Sequence, residues 1–290
     1  DALLKQADVA MYSAKRSRTG RVHTFTADMH FVEPDEPELS ADANGVGSGA
    51  AAVRLLGELR RAIDQLDLSL VYQPKFGLRD GDIVGVEALV RWPHHDRGLL
   101  GPEHFLPMVR EHGLMRAVTE LVLAQALDDV ATWRTHGFDV PVAVNIFAPS
   151  LGDLDLPRQI ARALNERNLR SEMLTVEITE DLLLDNLDRT RKVLNRLREN
   201  GVRIAIDDFG TGYSSLSYLK QFPIDVLKID QSFTREILTE KSSAAIVAAI
   251  INMAHGLDLR LVAEGVETQA QLDLTRFIPR LCRIWLDINQ

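Results

Sequence analysis

The sequence predicts an α/β fold, a TIM-like (β/α)8 barrel, from two features of the chain after about Arg54. Short apolar segments that end in a polar or charged residue alternate with longer amphipathic segments. This alternation is typical of a parallel sheet that helices cover on both faces. Seven strand candidates follow one another, close to the eight strands of such a barrel. An open doubly wound sheet is the alternative, although no glycine-rich fingerprint follows the first strand.

Hydrophobic periodicity predicts the individual elements. "VRLLGELRRAIDQL" (53–66) has the period of an amphipathic helix, and "LSLVYQPKF" (68–76) alternates like a strand. The later strands are predicted at "IVGVE", "VAVN", "LTVE", "RIAID", "VLKID" and "RLVAE". Helices are predicted between them, at roughly 103–136, 156–168, 186–200 and 232–256.

The first 52 residues have a different character from the rest. A short amphipathic segment and the strand-like "RVHTF" occupy residues 1–25, too little to bury a core. Residues 26–52 contain acids without any Lys or Arg and end in a Gly-rich stretch, which predicts a solvated linker. The predicted domains are therefore 1–25, the end of another domain, 26–52, a linker, and 53–290, the barrel.

Composition excludes several classes of function. Hydrophobic residues make up 46% of the 290-residue chain, enough for a large core, and the formal net charge is −9. An acidic chain is a poor candidate for duplex nucleic-acid binding, which needs a basic surface. The single cysteine, Cys282, cannot form an intrachain disulfide, and we find no signal peptide or membrane segment. We therefore expect a cytoplasmic location.

Metal-binding side chains recur at the ends of the predicted strands: Glu87, Asn145, Glu177, Asp207 and Glu264. The carboxyl ends of barrel strands meet at one mouth, where active sites lie. Carboxylates brought together there would take up protons unless a cation compensates. An oxygen-only ligand set favours Mg²⁺ or Mn²⁺ over Zn²⁺. For any single acid, capping of the next helix is the alternative.

Two further residues extend this cluster. Asp208 directly follows Asp207 and would reach a second metal, an arrangement that favours in-line phosphoryl displacement. Lys228 lies within the apolar "VLKID", where an unpaired lysine is rare. We interpret it as a cation that orients a water or a phosphate oxygen, with a salt bridge to a neighbouring acid as the alternative.

In order and spacing, "VEALVRW", "VAVNI", "LTVEITE", "IAIDDFGTGYSSL", "VLKID" and "LVAEGVE" resemble the motifs of the EAL-domain family, over about residues 54–272. The resemblance implies a barrel phosphodiesterase that hydrolyses the bacterial second messenger cyclic di-GMP to linear pGpG with Mg²⁺ or Mn²⁺. It implies that the first metal is bound by Glu87, Asn145, Glu177 and Asp207. It implies a second site at Asp208 and Asp230. Lys228 and Glu264 are implied to position and deprotonate the attacking water.

The resemblance also assigns residues around the metals. Glu180 is implied to anchor the Gly-rich loop that contains Gly210 and Gly212. The positions implied to contact the nucleotide are Gln73, Leu89, Arg91 and Glu267. Family members often form homodimers, so we expect self-association as one state of this chain.

Both ends of the chain add expectations. Residues 1–25 resemble the end of a GGDEF diguanylate cyclase domain, without that enzyme's own signature. From about residue 275 the tail departs from the EAL pattern: it lacks a Gln-Gly pair, and no eighth helix follows "LCRIWLDI". We therefore expect a barrel that is incomplete at its C-terminal end. A barrel that binds cyclic di-GMP or a partner without turnover is the main alternative, and an enolase-type lyase is a fainter one.

Overall fold

The computed structural model describes residues 47–290, apart from 79–80, 181–186, 212–218, 220, 277–282 and 287–290. Residues 53–290 form one compact unit. The predicted domain end at 1–25, most of the predicted linker, and Cys282 lie outside the described residues. None of the described helices is both long and apolar enough to cross a membrane.

The strands form an α/β barrel, as the sequence predicted. They are β1 (Ser69–Gly77), β2 (Ile83–His94), β3 (Gly98–Leu100), β4 (Val142–Asn145), β5 (Leu174–Thr179), β6 (Arg203–Phe209), β7 (Val226–Ile229), β8 (Arg260–Val266) and β9 (Arg283–Leu286). Their order in the sheet is β1-β9-β8-β7-β6-β5-β4-β2-β3, and β1 also pairs with β2. The strands other than β3 therefore form a ring, and β3 extends β2 as a hairpin.

Helices cover the outside of this ring. They are α1 (Gly47–Asp64), α2 (Pro102–Glu111), α3 (Met115–Thr135), α4 (Ala148–Leu151), α5 (Leu156–Glu166), α6 (Leu187–Glu199), α7 (Gln231–Glu236), α8 (Lys241–Gly256) and α9 (Gln269–Arg276). The predicted helix at 103–136 is two helices, with Gly113 between them at a φ of 69°. Glycine adopts this left-handed conformation without the steric penalty of a side chain.

The direction of β1 corrects the prediction of a wholly parallel sheet. β1 pairs with β2 in the antiparallel sense, and the strands from β4 to β8 pair in parallel. A parallel connection needs a crossover of a dozen or more residues. Only Leu78–Asp82 separate β1 from β2, so this connection is a hairpin.

The C-terminal strand closes the ring. β9 pairs with β8 in parallel and with β1 in the antiparallel sense, where Phe76 is opposite Ile284 and Gly77 is opposite Arg283. The apolar segment near 284 thus fills the last strand position. The strands other than β3, with helices around them, therefore give a TIM-like barrel, as the sequence predicted.

The core lies between the strands and the surrounding helices. In β6, for example, the outward-facing Ile204 and Ile206 are fully buried, and the inward-facing Ala205 is buried too. Helices outside and side chains inside exclude water from both faces, which explains the continuous apolar runs. Alternation along each strand then directs Asp207 to the same side as Ala205, into the barrel.

Candidate active site

Three buried carboxylates from different strands meet inside the barrel. Glu87 on β2, Glu177 on β5 and Asp207 on β6 each offer an oxygen, and these oxygens lie within 4.8 Å of one another. Their side chains belong to residues that are 3%, 1% and 9% exposed. Carboxylates with so little water around them need neighbouring positive charge or protons. We call these three residues the inner acid cluster.

Lys228 on β7 supplies much of that positive charge. Its Nζ atom lies 2.8 Å from Glu87 Oε2, 2.9 Å from Glu177 Oε2, 2.8 Å from Asp207 Oδ1 and 2.8 Å from Glu264 Oε1. The residue is 1% exposed. An ammonium group has three N–H bonds, so its four carboxylate neighbours cannot each receive a separate one. Lys228 therefore acts as a shared central cation, which agrees with the salt-bridge alternative from the sequence.

A second buried lysine, Lys75 on β1, was missed by the sequence analysis. Its Nζ atom donates to Glu177 Oε1 at 2.6 Å and lies 3.6 Å from Glu87 Oε2. A sequence signal existed, because Lys75 follows the singled-out Gln73 by two residues on the same strand. Alternation places both on one face of β1.

The charges of this site do not balance without an added cation. Four carboxylates, from the inner acid cluster and Glu264, surround two lysines, so full ionisation leaves an excess of two negative charges. Burial, then the charge of Glu177, raises the pKa of Glu87 to about 8. Burial also raises the pKa of Glu264 to about 7. Protons therefore neutralise part of the site when no metal is present, and a divalent cation fits the same excess charge.

Glu177 differs from Glu87 and Glu264 in its proton affinity. Burial acts to raise its pKa, but Lys228 and then Lys75 outweigh burial and hold the pKa below its usual range. The charges of Glu177, Glu87 and the other carboxylates around Lys228 raise the pKa of this lysine well above its usual value, although its burial acts to lower it. Glu177 thus stays ionised at neutral pH and is ready to bind a cation.

Asn145 joins the inner acid cluster through Glu87. Asn145 lies at the end of β4 and its Nδ2 donates to Glu87 Oε1 at 3.0 Å. The register of the sheet places Asn145 opposite Glu177 and Thr179 opposite Asp207. Asn145 and Glu177 therefore lie at the same level along the barrel, and Asp207 lies two residues nearer the carboxyl ends of the strands.

A second acid group adjoins the first. Oxygens of Asp207, Asp208 and Glu264 lie within 4.8 Å of one another. Partial desolvation, then the charges of Asp207 and Asp230, raise the pKa of Asp208 to about 6. We call Asp207, Asp208 and Glu264 the outer acid group, and Asp207 belongs to both sets.

An irregular strand explains how two adjacent acids serve one site. Strand alternation would turn Asp208 away from Asp207. The pairing of β6 with β7 shifts register between Ile206 and Phe209, and Asp208 has a φ of 52°. The Asp208 N–H donates to Asp207 Oδ1 at 3.0 Å, which stabilises this turn. Such bulges commonly redirect side chains near active sites.

Asp230 and Glu180 have defined structural partners. The Asp230 carboxylate accepts a hydrogen bond from Ser232 N at 2.8 Å and so caps α7, the capping role considered for single acids. Glu180 Oε2 accepts from Gly210 N at 3.2 Å, at the start of the Gly-rich loop. Gly212 and the remainder of that loop to 218 lie outside the described residues.

The residues predicted to contact the nucleotide do not all lie on the same side of the sheet as the acids. Gln73 is opposite Glu87 in the pairing of β1 with β2. Leu89 and Arg91 follow Glu87 on the same face of β2, toward its carboxyl end. Glu267 is instead exposed after β8, and its carboxylate lies 3.5 Å from Arg235 Nε. The structure therefore brings Gln73, Leu89 and Arg91 to the barrel side of the sheet and does not bring Glu267 into the acid clusters.

The arrangement suits a hard divalent cation. Among the described residues, neither acid set contains a Cys or His. Carboxylate and amide oxygens are the ligands that Mg²⁺ and Mn²⁺ prefer, and adjacent carboxylate sets can hold two such ions. The two acid sets could therefore bind such cations beside a buried lysine, Lys228.

Comparison with known proteins identifies the family. Residues 56–278 match the model described as the EAL domain. The chain belongs to the EAL-domain family. It is 38% identical to the cyclic di-GMP phosphodiesterase NbdA of Pseudomonas aeruginosa, over 95% of this chain and 33% of that protein. The bifunctional diguanylate cyclase/cyclic di-GMP phosphodiesterase MucR of the same species is 38% identical over 94% of this chain and 38% of that protein.

Solved structures of EAL proteins share the fold. The PaMucR phosphodiesterase in complex with c-di-GMP has a TM-score of 0.76 and 39% identity, over 80% of this chain and 94% of that chain. The EAL enzyme Bd1971, in a form with cAMP and cyclic di-GMP bound, has a TM-score of 0.77 and 29% identity, over 83% of this chain and 66% of that chain. The chain spans about a third of the length of the curated relatives NbdA and the signaling protein YkoW of Bacillus subtilis.

Proposed function

We propose that this EAL domain is a metal-dependent phosphodiesterase that hydrolyses cyclic di-GMP to linear pGpG. The observation that carries the proposal is the buried acid cluster around Lys228, in which both acid sets contribute oxygens to one mouth. The names of NbdA and MucR and the cyclic di-GMP bound to PaMucR support the substrate.

The proposed first metal site consists of Glu87, Asn145, Glu177 and Asp207, and Asp208 and Asp230 belong to the second. Mg²⁺ or Mn²⁺ at these positions would supply Lewis acidity and lower the pKa of a water molecule. Contacts within the chain orient the proposed metal-binding side chains. Asn145 donates to Glu87, and Lys228 contacts one oxygen of each acid around it.

Glu264 is the proposed base for the attacking water. Burial raises its pKa to about 7, close to the value at which a general base is most effective at neutral pH. Lys228 Nζ contacts it at 2.8 Å and holds its carboxylate beside Asp207. Lys228 thus both orients the base and supplies positive charge next to the substrate phosphate.

The remaining predicted residues have supporting roles in this proposal. Glu180 restrains the Gly-rich loop through Gly210, and Gln73, Leu89 and Arg91 contact the nucleotide from β1 and β2. Glu267 contacts nucleotide only if its pairing with Arg235 opens.

Wider features of the protein are also proposals. We propose that residues 1–25 are the end of a GGDEF domain. MucR, a bifunctional diguanylate cyclase/cyclic di-GMP phosphodiesterase, aligns over 94% of this chain, which supports this proposal. Cytoplasmic location and homodimer formation stay predictions from the sequence.

Binding of cyclic di-GMP without turnover is the alternative function, because the tail departs from the family pattern. The presence of every proposed first-site ligand favours turnover over binding alone. The test is to incubate the purified chain with cyclic di-GMP and Mn²⁺, with and without EDTA, and to separate the products by chromatography. We expect pGpG only with the metal. Tight binding of cyclic di-GMP with no pGpG formed in Mn²⁺ would establish the alternative.

A further inference from the structure

Lys75 reaches the acid cluster from the end of the barrel where the parallel strands begin. β1 runs antiparallel to β2, and Lys75 is opposite Gly85, two residues before Glu87. The lysine is 8% exposed. Across the barrel from it, the inner positions of β4 and β6 carry the small side chains of Ala143 and Ala205, and a cavity of about 40 Å³ lies between them. Lys75 thus lies between this cavity and the carboxylates.

The two oxygens of Glu177 bind different lysines. Oε1 accepts from Lys75 at 2.6 Å, and Oε2 accepts from Lys228 at 2.9 Å. Lys228 divides its contacts among four carboxylates. Lys75 makes its shorter contact with Glu177 and lies 3.6 Å from Glu87. Lys75 therefore fixes one oxygen of Glu177, Oε1, while Lys228 contacts the other.

We propose that Lys75 is a positioning residue that fixes the Glu177 carboxylate for metal binding from beneath the site. This inference rests on the proposed function, because it assigns Glu177 to the metal. Lys75 does not touch substrate; it acts through Glu177 by compensating its buried charge and restricting its rotation. Residues that orient metal ligands in this way typically change metal affinity by about 10–100-fold when they are replaced.

The test compares Lys75→Met, which removes the charge but keeps an unbranched chain, with Lys75→Arg, which keeps the charge and can extend into the cavity beneath. Mn²⁺ affinity is measured directly by isothermal titration calorimetry and electron paramagnetic resonance, and hydrolysis at saturating Mn²⁺ is measured separately. Lys192→Met on the exposed face of α6 is the control for loss of one lysine. Circular dichroism and melting temperature monitor folding.

We expect Lys75→Met to weaken Mn²⁺ binding about 10–100-fold, with kcat largely recovered at saturating metal. Lys75→Arg should bind within a few-fold of the unaltered chain, and Lys192→Met should match it. Unchanged Mn²⁺ affinity in folded Lys75→Met overturns the inference. So does equal weakening in the Met and Arg variants, because that result reports packing and not charge.

If Lys75→Met does not fold, Lys75→Gln replaces it, since glutamine keeps a hydrogen-bond donor without charge. Weakened Mn²⁺ binding in Lys75→Gln supports the inference, and unchanged binding overturns it. An unaltered chain that binds Mn²⁺ but releases no pGpG would overturn the proposed function alone, because the direct binding measurements on the variants would still decide the role of Lys75.

Discussion

Lys228 Nζ lies 2.8 Å from Glu264 Oε1 and 2.8 Å from Asp207 Oδ1, so this one ammonium group joins the inner acid cluster to the outer acid group. The two sets also share Asp207. A single side chain therefore neutralises both sets and holds the proposed base at a fixed place beside the proposed ligands.

Replacement of this cation tests that arrangement. We expect Lys228→Met to lower kcat by at least about a hundredfold, the usual contribution of a positioned acid–base group. We also expect it to lower the free energy of unfolding of the protein in EDTA by about 3–5 kcal/mol, because Asp207 and Glu264 lose the lysine that contacts them. Urea unfolding in EDTA measures the second effect, with Lys241→Met as the surface control. Equal stability of both variants in EDTA would contradict the central role of Lys228.

Loss of a proposed ligand should separate activity from folding. We expect Glu87→Ala to abolish hydrolysis of cyclic di-GMP while the far-ultraviolet circular dichroism stays unchanged, since loss of a ligand weakens metal binding and water activation. The isosteric Glu87→Gln should behave alike. More than about a tenth of the original rate at saturating Mn²⁺, well above what loss of a metal ligand would leave, would show that Glu87 is not a ligand.

The raised pKa values predict how pH affects the metal-free protein. Glu87 and Glu264 have folded pKa values of about 8 and about 7, above the usual value of 4.5 for glutamate. Between the unfolded pKa of 4.5 and these folded pKa values, the folded state therefore binds more protons than the unfolded state. The stabilising contribution is complete below about pH 4.5 and is lost as the pH rises through 7 to 8.

We therefore expect the free energy of unfolding in EDTA to fall between pH 5.5 and 8, by up to about 1.4 kcal/mol per pH unit for each group. Urea titrations at several pH values measure this slope. Glu87→Gln should flatten it, because glutamine does not titrate. An identical slope in the variant would mean that Glu87 does not carry the effect. Glu177 acts only below pH 4.5, where its lowered pKa makes acid destabilising.

The loop after the adjacent acids depends on a glycine. Gly210 has a φ of 102°, and a Cβ atom there would lie 2.9 Å from Phe233 Cε2. We expect Gly210→Ala to lower stability by about 1–3 kcal/mol through backbone strain and to lower turnover, because Gly210 N binds Glu180. Gly57→Ala in α1 is the matched control: nothing lies within 4 Å of its added Cβ, and alanine should stabilise the helix by about 1 kcal/mol. Equal melting temperatures for Gly210→Ala and the unaltered chain would show that alanine at this position causes no backbone strain.

Much of the site could be predicted because a barrel brings its strand ends together. Glu177, Asp207 and Glu264 were placed from apolar runs that end in acids, and all three contact Lys228. The strand boundaries were less predictable: β2 continues from Glu87 to His94, since its end is set by pairing with β3. The position where a strand ends through pairing with another strand cannot be predicted from the local pattern of apolar residues.

Other features depended on geometry that the sequence does not specify. The bulge in β6 turns Asp208 toward the site, and only the register with β7 reveals it. Glu267 has the right position in its motif, yet in this structure it pairs with Arg235 on the surface. Lys75 was missed because a lysine in an alternating strand looks solvent-exposed unless the opposite face is known to be closed.

Anomalous diffraction at the manganese edge, from crystals grown with Mn²⁺ and cyclic di-GMP, tests the metal site most directly. We predict an anomalous peak bounded by oxygens of Glu87, Asn145, Glu177 and Asp207, with Lys228 still in contact with Glu264 beside it. A peak elsewhere on the barrel, or clear density for cyclic di-GMP at the mouth with no metal beside these four residues, would contradict it.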